Sequence, residues 1–148
     1  MLQIDLLESL LRECKKEGIH TAVDTAGHVP YSFFERILPY TDLFLYDVKC
    51  LNPEVHRTYM GVDNRLILEN LGKLLKTHVP VRIRIPLIKG VNATVEEMKK
   101  IKDFLLSHGK PQGVDLLPYH PLGESKSLAL GITPTVFQAP SKEETEAL

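Results

Sequence analysis

Charged and imidazole side chains stand at the carboxyl ends of four strand-like segments. The segments are HTAVDT, LFLYDVK, VRIRIP and LLPYH, and their polar end residues are Asp24, Asp47, Lys49, Arg84 and His120. Parallel strands joined by helices bring their carboxyl ends to one rim, where such folds hold their chemistry. Two carboxylates beside two permanent cations can hold a zwitterion, because the carboxylates attract its ammonium and the cations grip its carboxylate. The pattern therefore predicts a site for an amino-acid-like ligand.

Each of these residues also has a purely structural interpretation. An aspartate at a strand end is more often a turn former or a helix cap, and a lysine or arginine there is often simply solvated. Cys14 is expected in the core on a helix, whereas Cys50, beside Lys49, is a candidate for a perturbed thiol. The functional interpretation gains weight because all four strands end in the same way.

Helix-like and strand-like segments alternate in the order α-β-α-β-α-β-α-β. The four strands are predicted at residues 19–25, 43–46, 81–85 and 114–117. Gly18 is expected to end the first helix, Asn64 to cap another, and Thr94 with Glu97 to form a capping box. Because the second strand is continuously apolar, it is predicted to be internal. The order predicts an α/β fold with a parallel sheet.

Composition narrows the possible partners and surroundings. The 148 residues, 43% of them hydrophobic, are predicted to form one domain over residues 1–148. A net charge of -1 with scattered basic residues favours neither nucleic acid nor an anionic membrane. With only two cysteines, no apolar run of about 20 residues and no signal peptide, a reducing, cytoplasmic location is expected.

Four longer strings carry a family resemblance. They are CKKEGIHTAVDTAGHV at 14–29, LFLYDVKCLNPEVHRTYMGVDNRLILENL at 43–71, RIRIPLIKGVN at 82–92 and LLPYHPLGESK at 116–126. In this order they resemble the activating enzymes of glycyl radical enzymes in the radical S-adenosylmethionine superfamily, most closely those that act on pyruvate formate-lyase. The resemblance extends from about residue 3 to about residue 143.

The resemblance implies a TIM-like partial (β/α)6 barrel, of which about four βα units are expected in this chain. It implies that a [4Fe-4S] cluster reductively cleaves S-adenosylmethionine and that the resulting 5'-deoxyadenosyl radical removes a hydrogen atom from a glycine of the partner enzyme. A reductant such as flavodoxin or ferredoxin is implied as a second partner.

Matching positions imply roles for individual residues. The residues that resemble the S-adenosylmethionine site are Asp24, Asp47, Lys49, Arg84 and His120. The residues that resemble ligands of a monovalent cation are Asp24, Thr25 and Asp47, with the backbone carbonyl of Leu45. No residue of this chain matches a catalytic residue or an iron–sulfur ligand of the family.

The sequence departs from the family in one respect. The family's Cys-x-x-x-Cys-x-x-Cys motif and Gly-Gly-Glu-Pro segment have no counterpart, and both belong before Leu2. Met1 opens an amphipathic helix without a cap, and the helix predicted near Ser141 stops at Leu148. The chain is therefore expected to be a truncated, carboxyl-terminal portion that is inactive alone and self-associates through an exposed barrel edge.

Two alternatives stay open from the sequence. The target could be another glycyl radical enzyme, such as a glycerol or choline lyase or a decarboxylase, because their activators share these strings. The chain could also be a non-catalytic remnant that binds S-adenosylmethionine or the partner protein. An unrelated half-barrel that binds a phosphorylated metabolite is disfavoured, since no glycine-rich anion cradle follows strand four.

Overall fold

A four-stranded parallel sheet organises the protein. The computed structural model describes residues 1–133 and 136–148. The strands are β1 (Ala22–Thr25), β2 (Leu43–Asp47), β3 (Val81–Leu87) and β4 (Gly113–Pro118). They pair in the order β1-β2-β3-β4, and every pair is parallel. This confirms the predicted α/β partial barrel, including the internal position of β2.

Helices precede, connect and follow the strands. They are α1 (Ile4–Lys16), α2 (Tyr31–Ile37), α3 (Pro53–Met60), α4 (Arg65–Leu74), α5 (Val95–His108), α6 (Glu124–Ala129) and α7 (Lys142–Glu146), with 3-10 turns at Leu38–Tyr40 and Pro121–Gly123. Within residues 1–133 and 136–148, no helix is long and apolar enough to cross a membrane.

The two faces of the sheet differ in polarity because side chains alternate along each strand. Phe44, Tyr46 and Ile83 are fully buried and join the helices in one hydrophobic core. Their neighbours on the opposite face, Asp47 and Arg84 among them, are only half-buried. One face of β2 is therefore only partly buried, although the apolar run of this strand had predicted burial of both faces.

The structure differs from three predictions about the ends of strands and helices. The first strand begins at Ala22, because the Thr21 N–H donates to Asp42 Oδ2 instead of joining the ladder. Asn64 occupies the N-cap position of α4 but makes no side-chain cap. Thr94 Oγ1 does accept from the Glu97 N–H, yet the Glu97 side chain is engaged elsewhere and no capping box closes.

Two predictions about helix ends agree with the structure. Gly18 follows α1 with a φ of 67°, a left-handed conformation that favours glycine. Ser141 begins α7 with a complete capping box to Glu144. In the described part of the chain β1 pairs only with β2, so its other side is an edge, as predicted. Self-association through this edge remains a prediction.

Candidate ligand-binding site at the strand rim

Arg84 joins two aspartates from two other strands. Its Nε donates to Asp47 Oδ1 at 2.8 Å and its Nη2 lies 2.7 Å from the same oxygen. The Nη2 also donates to Asp24 Oδ1 on β1. Partial burial would lower the pKa of Arg84, but the hydrogen bonds that it donates to the two carboxylates outweigh this effect and raise that pKa. The guanidinium is thus held as a cation between two anions.

Lys49 completes a chain of four charges. Its Nζ lies 2.8 Å from Asp47 Oδ2, so Asp47 accepts from one cation through each carboxylate oxygen. The side chain of Asp47 is 18% exposed, whereas that of Asp24 at the sheet edge is 60% exposed. We call the set Asp24, Asp47, Lys49 and Arg84 the rim charges. Two carboxylates and two cations make the set formally neutral.

Strand register explains why these residues meet. Asp47 and Arg84 are Cα partners on β2 and β3, so their side chains leave the sheet side by side. Asp24 is the partner of Leu45, which lies two residues before Asp47 on the same face. The long arginine side chain spans this offset and reaches β1.

The other predicted site residues lie around this centre. Thr25 is half-buried at the end of β1, and its Oγ1 accepts from the Gly27 N–H. The half-buried Leu45 sits beside Asp24 in the register. His120 is exposed two residues past β4, and in the described part of the chain it makes no hydrogen bond or ion pair with the rim charges.

A second ion pair lies next to the rim charges and was not predicted. Arg82 donates to Asp115 through Nη2 at 2.6 Å and also through Nε. The hydrogen bonds from Arg82 hold the pKa of the Asp115 carboxyl below its usual value. Arg82 has the same parity as Arg84, which places both on one face, but only the sheet order could reveal Asp115 as its partner.

Packing behind β2 fixes the loop that follows β1. Tyr46 is fully buried and its hydroxyl donates to the Ile67 carbonyl at 2.7 Å. Gly27 adopts a φ of 77°, and a Cβ placed there would lie 1.7 Å from the Tyr46 hydroxyl oxygen. The Nδ2 of buried Asn70 donates to the Gly27 and Val29 carbonyls, each at 2.8 Å. Close packing and hydrogen bonds therefore hold the loop that follows Asp24 against the core.

The two cysteines are free thiols. Burial, with a smaller effect from the Glu97 carboxylate, raises the pKa of Cys50 to about 11, so this thiol is protonated at neutral pH. Cys14 lies on α1, half-buried. Within residues 1–133 and 136–148, no three His, Cys, Asp or Glu side chains are grouped to hold a metal ion. The two carboxylates and two cations at the rim match the two charges of a zwitterion.

Comparison with known proteins found relatives of this chain. The sequence profile of the radical SAM superfamily matches residues 1–105. The choline trimethylamine-lyase activating enzyme of Oleidesulfovibrio alaskensis is 38% identical over 134 residues, which cover 88% of this chain and 43% of that protein. The trans-4-hydroxy-L-proline dehydratase activating enzyme of Clostridioides difficile is 38% identical over 152 residues, which cover 98% of this chain and 49% of that protein.

A solved structure has the same fold. The crystal structure of a domain of pyruvate-formate lyase-activating enzyme from Bacteroides vulgatus superposes with a TM-score of 0.84 at 33% identity, covering 99% of this chain and 83% of that one. The predicted resemblance to glycyl radical enzyme activating enzymes is thereby confirmed. The chain spans about half the length of the two curated relatives, at 43% and 49%.

Proposed function

Because the chain belongs to the radical SAM superfamily, we propose that its rim charges bind S-adenosylmethionine. The observation that carries the proposal is the contact of Arg84 with both Asp24 and Asp47, with Lys49 on the far oxygen of Asp47. The methionine part of S-adenosylmethionine is a zwitterion and requires both signs of charge in one place.

Binding would exchange partners within the rim charges. A ligand carboxylate takes hydrogen bonds from both Arg84 and Lys49, and an aspartate released by these cations accepts from the ligand ammonium. Each lost ion pair is replaced by one of the same kind, so no charge is left unpaired at a partly buried site. Arg84 suits this role because its planar guanidinium can hold a carboxylate through two parallel hydrogen bonds. We assign His120 to the same ligand because it follows β4 at the same rim.

A monovalent cation is proposed beside this ligand. Its ligands would be the side chains of Asp24, Thr25 and Asp47 and the backbone carbonyl of Leu45. Oxygen donors of this kind suit a hard cation. Such a cation would compete with Arg84 for both aspartates and would favour the arrangement in which the arginine turns toward the ligand carboxylate.

The wider activity that we propose is that of a glycyl radical enzyme activating enzyme, of which this chain is the carboxyl-terminal portion. S-adenosylmethionine supplies the radical chemistry in this superfamily, and the part played by this chain is to bind and orient it. We propose that the three cysteine ligands of the [4Fe-4S] cluster come from polypeptide outside this sequence. Activating enzymes for pyruvate formate-lyase, a choline lyase and a dehydratase are 35%, 38% and 38% identical to this chain, so identity does not select one of these targets.

Calorimetric titration of S-adenosylmethionine tests the binding proposal. Arg84→Ala should weaken the affinity at least tenfold, because the ligand carboxylate loses its bidentate partner. Arg82→Ala is the matched control, since it removes an arginine two residues away on the same face that pairs with Asp115 instead. Equal affinities of the two variants would overturn the assignment of the rim charges.

Paramagnetic resonance tests the cluster proposal. After anaerobic reconstitution with iron and sulfide and reduction with dithionite, a [4Fe-4S] signal is expected only in a chain extended through a three-cysteine segment. A signal from the 148-residue chain itself would contradict the proposal. Absence of the signal from both chains, with S-adenosylmethionine bound, would favour a binding role without redox chemistry.

A further inference from the structure

Three buried side chains hold the segment that carries Lys49: Asn92 in the loop before α5, Glu97 on α5, and Asn64 at the start of α4. The carbonyl of Lys49 accepts from Asn92 Nδ2 at 2.6 Å. The carbonyl of the next residue, Cys50, accepts from Asn64 Nδ2 at 2.9 Å, and the N–H after that, of Leu51, donates to Glu97 Oε1. The three side chains are 3%, 3% and 8% exposed for Asn92, Asn64 and Glu97.

The β2–β3 ladder cannot continue to Lys49, because Pro86 interrupts it. Alternate residues of a central strand bond to opposite neighbours. Arg84 faces β2, as its carbonyl accepts from the Val48 N–H at 2.9 Å. Pro86 is the next residue of β3 that would face β2, but it has no N–H to donate. In the described part of the chain, the last backbone bond from β2 to β3 is therefore that of Val48, one residue before Lys49.

The side chain of Asn92 takes the place of the missing ladder bonds. Its Nδ2 donates to the Lys49 carbonyl and also to the Pro86 carbonyl at 2.7 Å. Its Oδ1 accepts from the Ile88 N–H at 2.7 Å. One amide group thus uses both donor hydrogens and its acceptor to join the continuation of β2 to the end of β3. Asparagine is suited to this position because it offers two donors and an acceptor on a short side chain.

We propose that Asn92 is a positioning residue that sets the location of Lys49 relative to Arg84, with Asn64 holding the next peptide in the same way. The inference rests on the proposed function, in which both cations grip one ligand carboxylate. Arg84 lies two residues before Pro86, so the bridge from Pro86 to Lys49 relates the two cations directly. Binding of one carboxylate by two cations requires their spacing to be fixed in advance.

Asn92→Asp is the main test because it keeps the size and the acceptor for Ile88 but loses both donor bonds. Hydrogen exchange of the peptide over residues 48–52, measured without ligand, should become faster in this variant. Thr41→Val is the matched control: it loses a buried hydrogen bond, 2.9 Å from Oγ1 to the Ile37 carbonyl, near the amino end of β2. It should lower stability yet leave exchange over 48–52 unchanged. Equal exchange over 48–52 in both variants would overturn the proposal.

A double-mutant cycle with Lys49 separates positioning from general destabilisation. Asn92→Asp should weaken S-adenosylmethionine binding about tenfold in the wild-type background, about 1.4 kcal/mol, and less than about threefold when Lys49 is already alanine. An equal loss in both backgrounds would mean that Asn92 acts on the whole fold and would overturn the positioning role. If Asn92→Asp does not fold, Asn64→Ala takes its place in the cycle. This variant removes only the hydrogen bond to the Cys50 carbonyl.

The two proposals fail in distinguishable ways. If Lys49→Ala binds S-adenosylmethionine as tightly as wild type while Asn92→Asp still loosens residues 48–52, the ligand assignment is wrong and the structural bridge stands. If Lys49→Ala abolishes binding but Asn92→Asp changes neither exchange nor affinity, the rim site stands and Asn92 does not position it.

Discussion

Arg84 and Asp47 are register partners on neighbouring strands, and Arg84 Nη2 lies 2.7 Å from Asp47 Oδ1. The other oxygen of the same carboxylate lies 2.8 Å from Lys49 Nζ. A single partly buried aspartate therefore separates two like charges. This relationship makes Asp47 the most sensitive of the rim charges to substitution.

Asp47→Asn should destabilise the protein by about 1–2 kcal/mol, because it leaves two neighbouring cations with the exposed Asp24 as their only nearby anion in the rim set. Urea unfolding measures the change. Asp115→Asn is the matched control, since it also removes an aspartate from this face but leaves only one cation, Arg82, without its partner. Asp47→Asn should lower the unfolding midpoint further than Asp115→Asn, and the reverse order would contradict the expectation.

Gly27→Ala should destabilise the protein by at least about 3 kcal/mol, since it combines a left-handed backbone with a clash against Tyr46. Gly61 separates the two effects. It has the same φ of 77°, but a Cβ there meets nothing within 4 Å. Gly61→Ala should therefore cost only about 1–2 kcal/mol, the contribution of the backbone alone. Similar unfolding midpoints for the two variants would show that the Tyr46 side chain moves to accommodate the new methyl group.

Acid should weaken the protein partly through Asp42. The hydrogen bond from the Thr21 N–H, helped by Lys15, holds the pKa of this carboxyl below its usual value. A group with a depressed folded-state pKa stabilises the fold fully above its unfolded pKa of about 3.9 and loses that stabilisation as the pH falls through the folded value.

The stability difference between wild type and Asp42→Asn should accordingly shrink as the pH is lowered from about 6 to about 2.5. Urea unfolding across this range measures it. Lys15→Gln should keep most of this pH dependence, because the hydrogen bond from the Thr21 N–H to Asp42 remains. Parallel stability curves for wild type and Asp42→Asn would be inconsistent with the stated origin of the shift.

Alkylation should distinguish the two cysteines. Cys50 is 5% exposed, and its pKa of about 11 leaves about one thiolate in a thousand at pH 8. Cys14 is half-buried on α1 and should react first with iodoacetamide. Peptide mass spectrometry locates the modification, and Cys14→Ser should leave the native protein almost unlabelled until it is unfolded in urea. Fast labelling of Cys50 in the native state would contradict this.

Local patterns in the sequence predicted the fold well. The alternation of helix and strand and the internal second strand follow from periodicity and turn residues, which depend on residues close together in the chain. The third strand is longer than predicted, so Arg84 lies in its middle and not at its carboxyl end. Because side chains alternate along a strand, Asp47 lies on the face opposite buried Tyr46. The resemblance to radical S-adenosylmethionine activating enzymes was also visible from the strings alone.

The predictions that failed concern polar side chains with a choice of partners. Asn64 was expected to cap its own helix, but it donates to the Cys50 carbonyl, and Glu97 leaves its capping box for the Leu51 N–H. In both cases a buried backbone group of a distant loop needed a partner, and leaving it unpaired costs more than losing a helix cap. Sequence spacing cannot show which distant backbone group a side chain will meet.

By itself, the sequence determined the alternation of helices and strands and the family that the chain resembles, because these are properties of neighbours in the chain. The tertiary structure alone decided that Arg84 bridges Asp47 and Asp24, which lie 37 and 60 residues away, and that Asn92 reaches Lys49 across 43 residues. Such contacts depend on strand order and register, which the packing of the whole sheet sets.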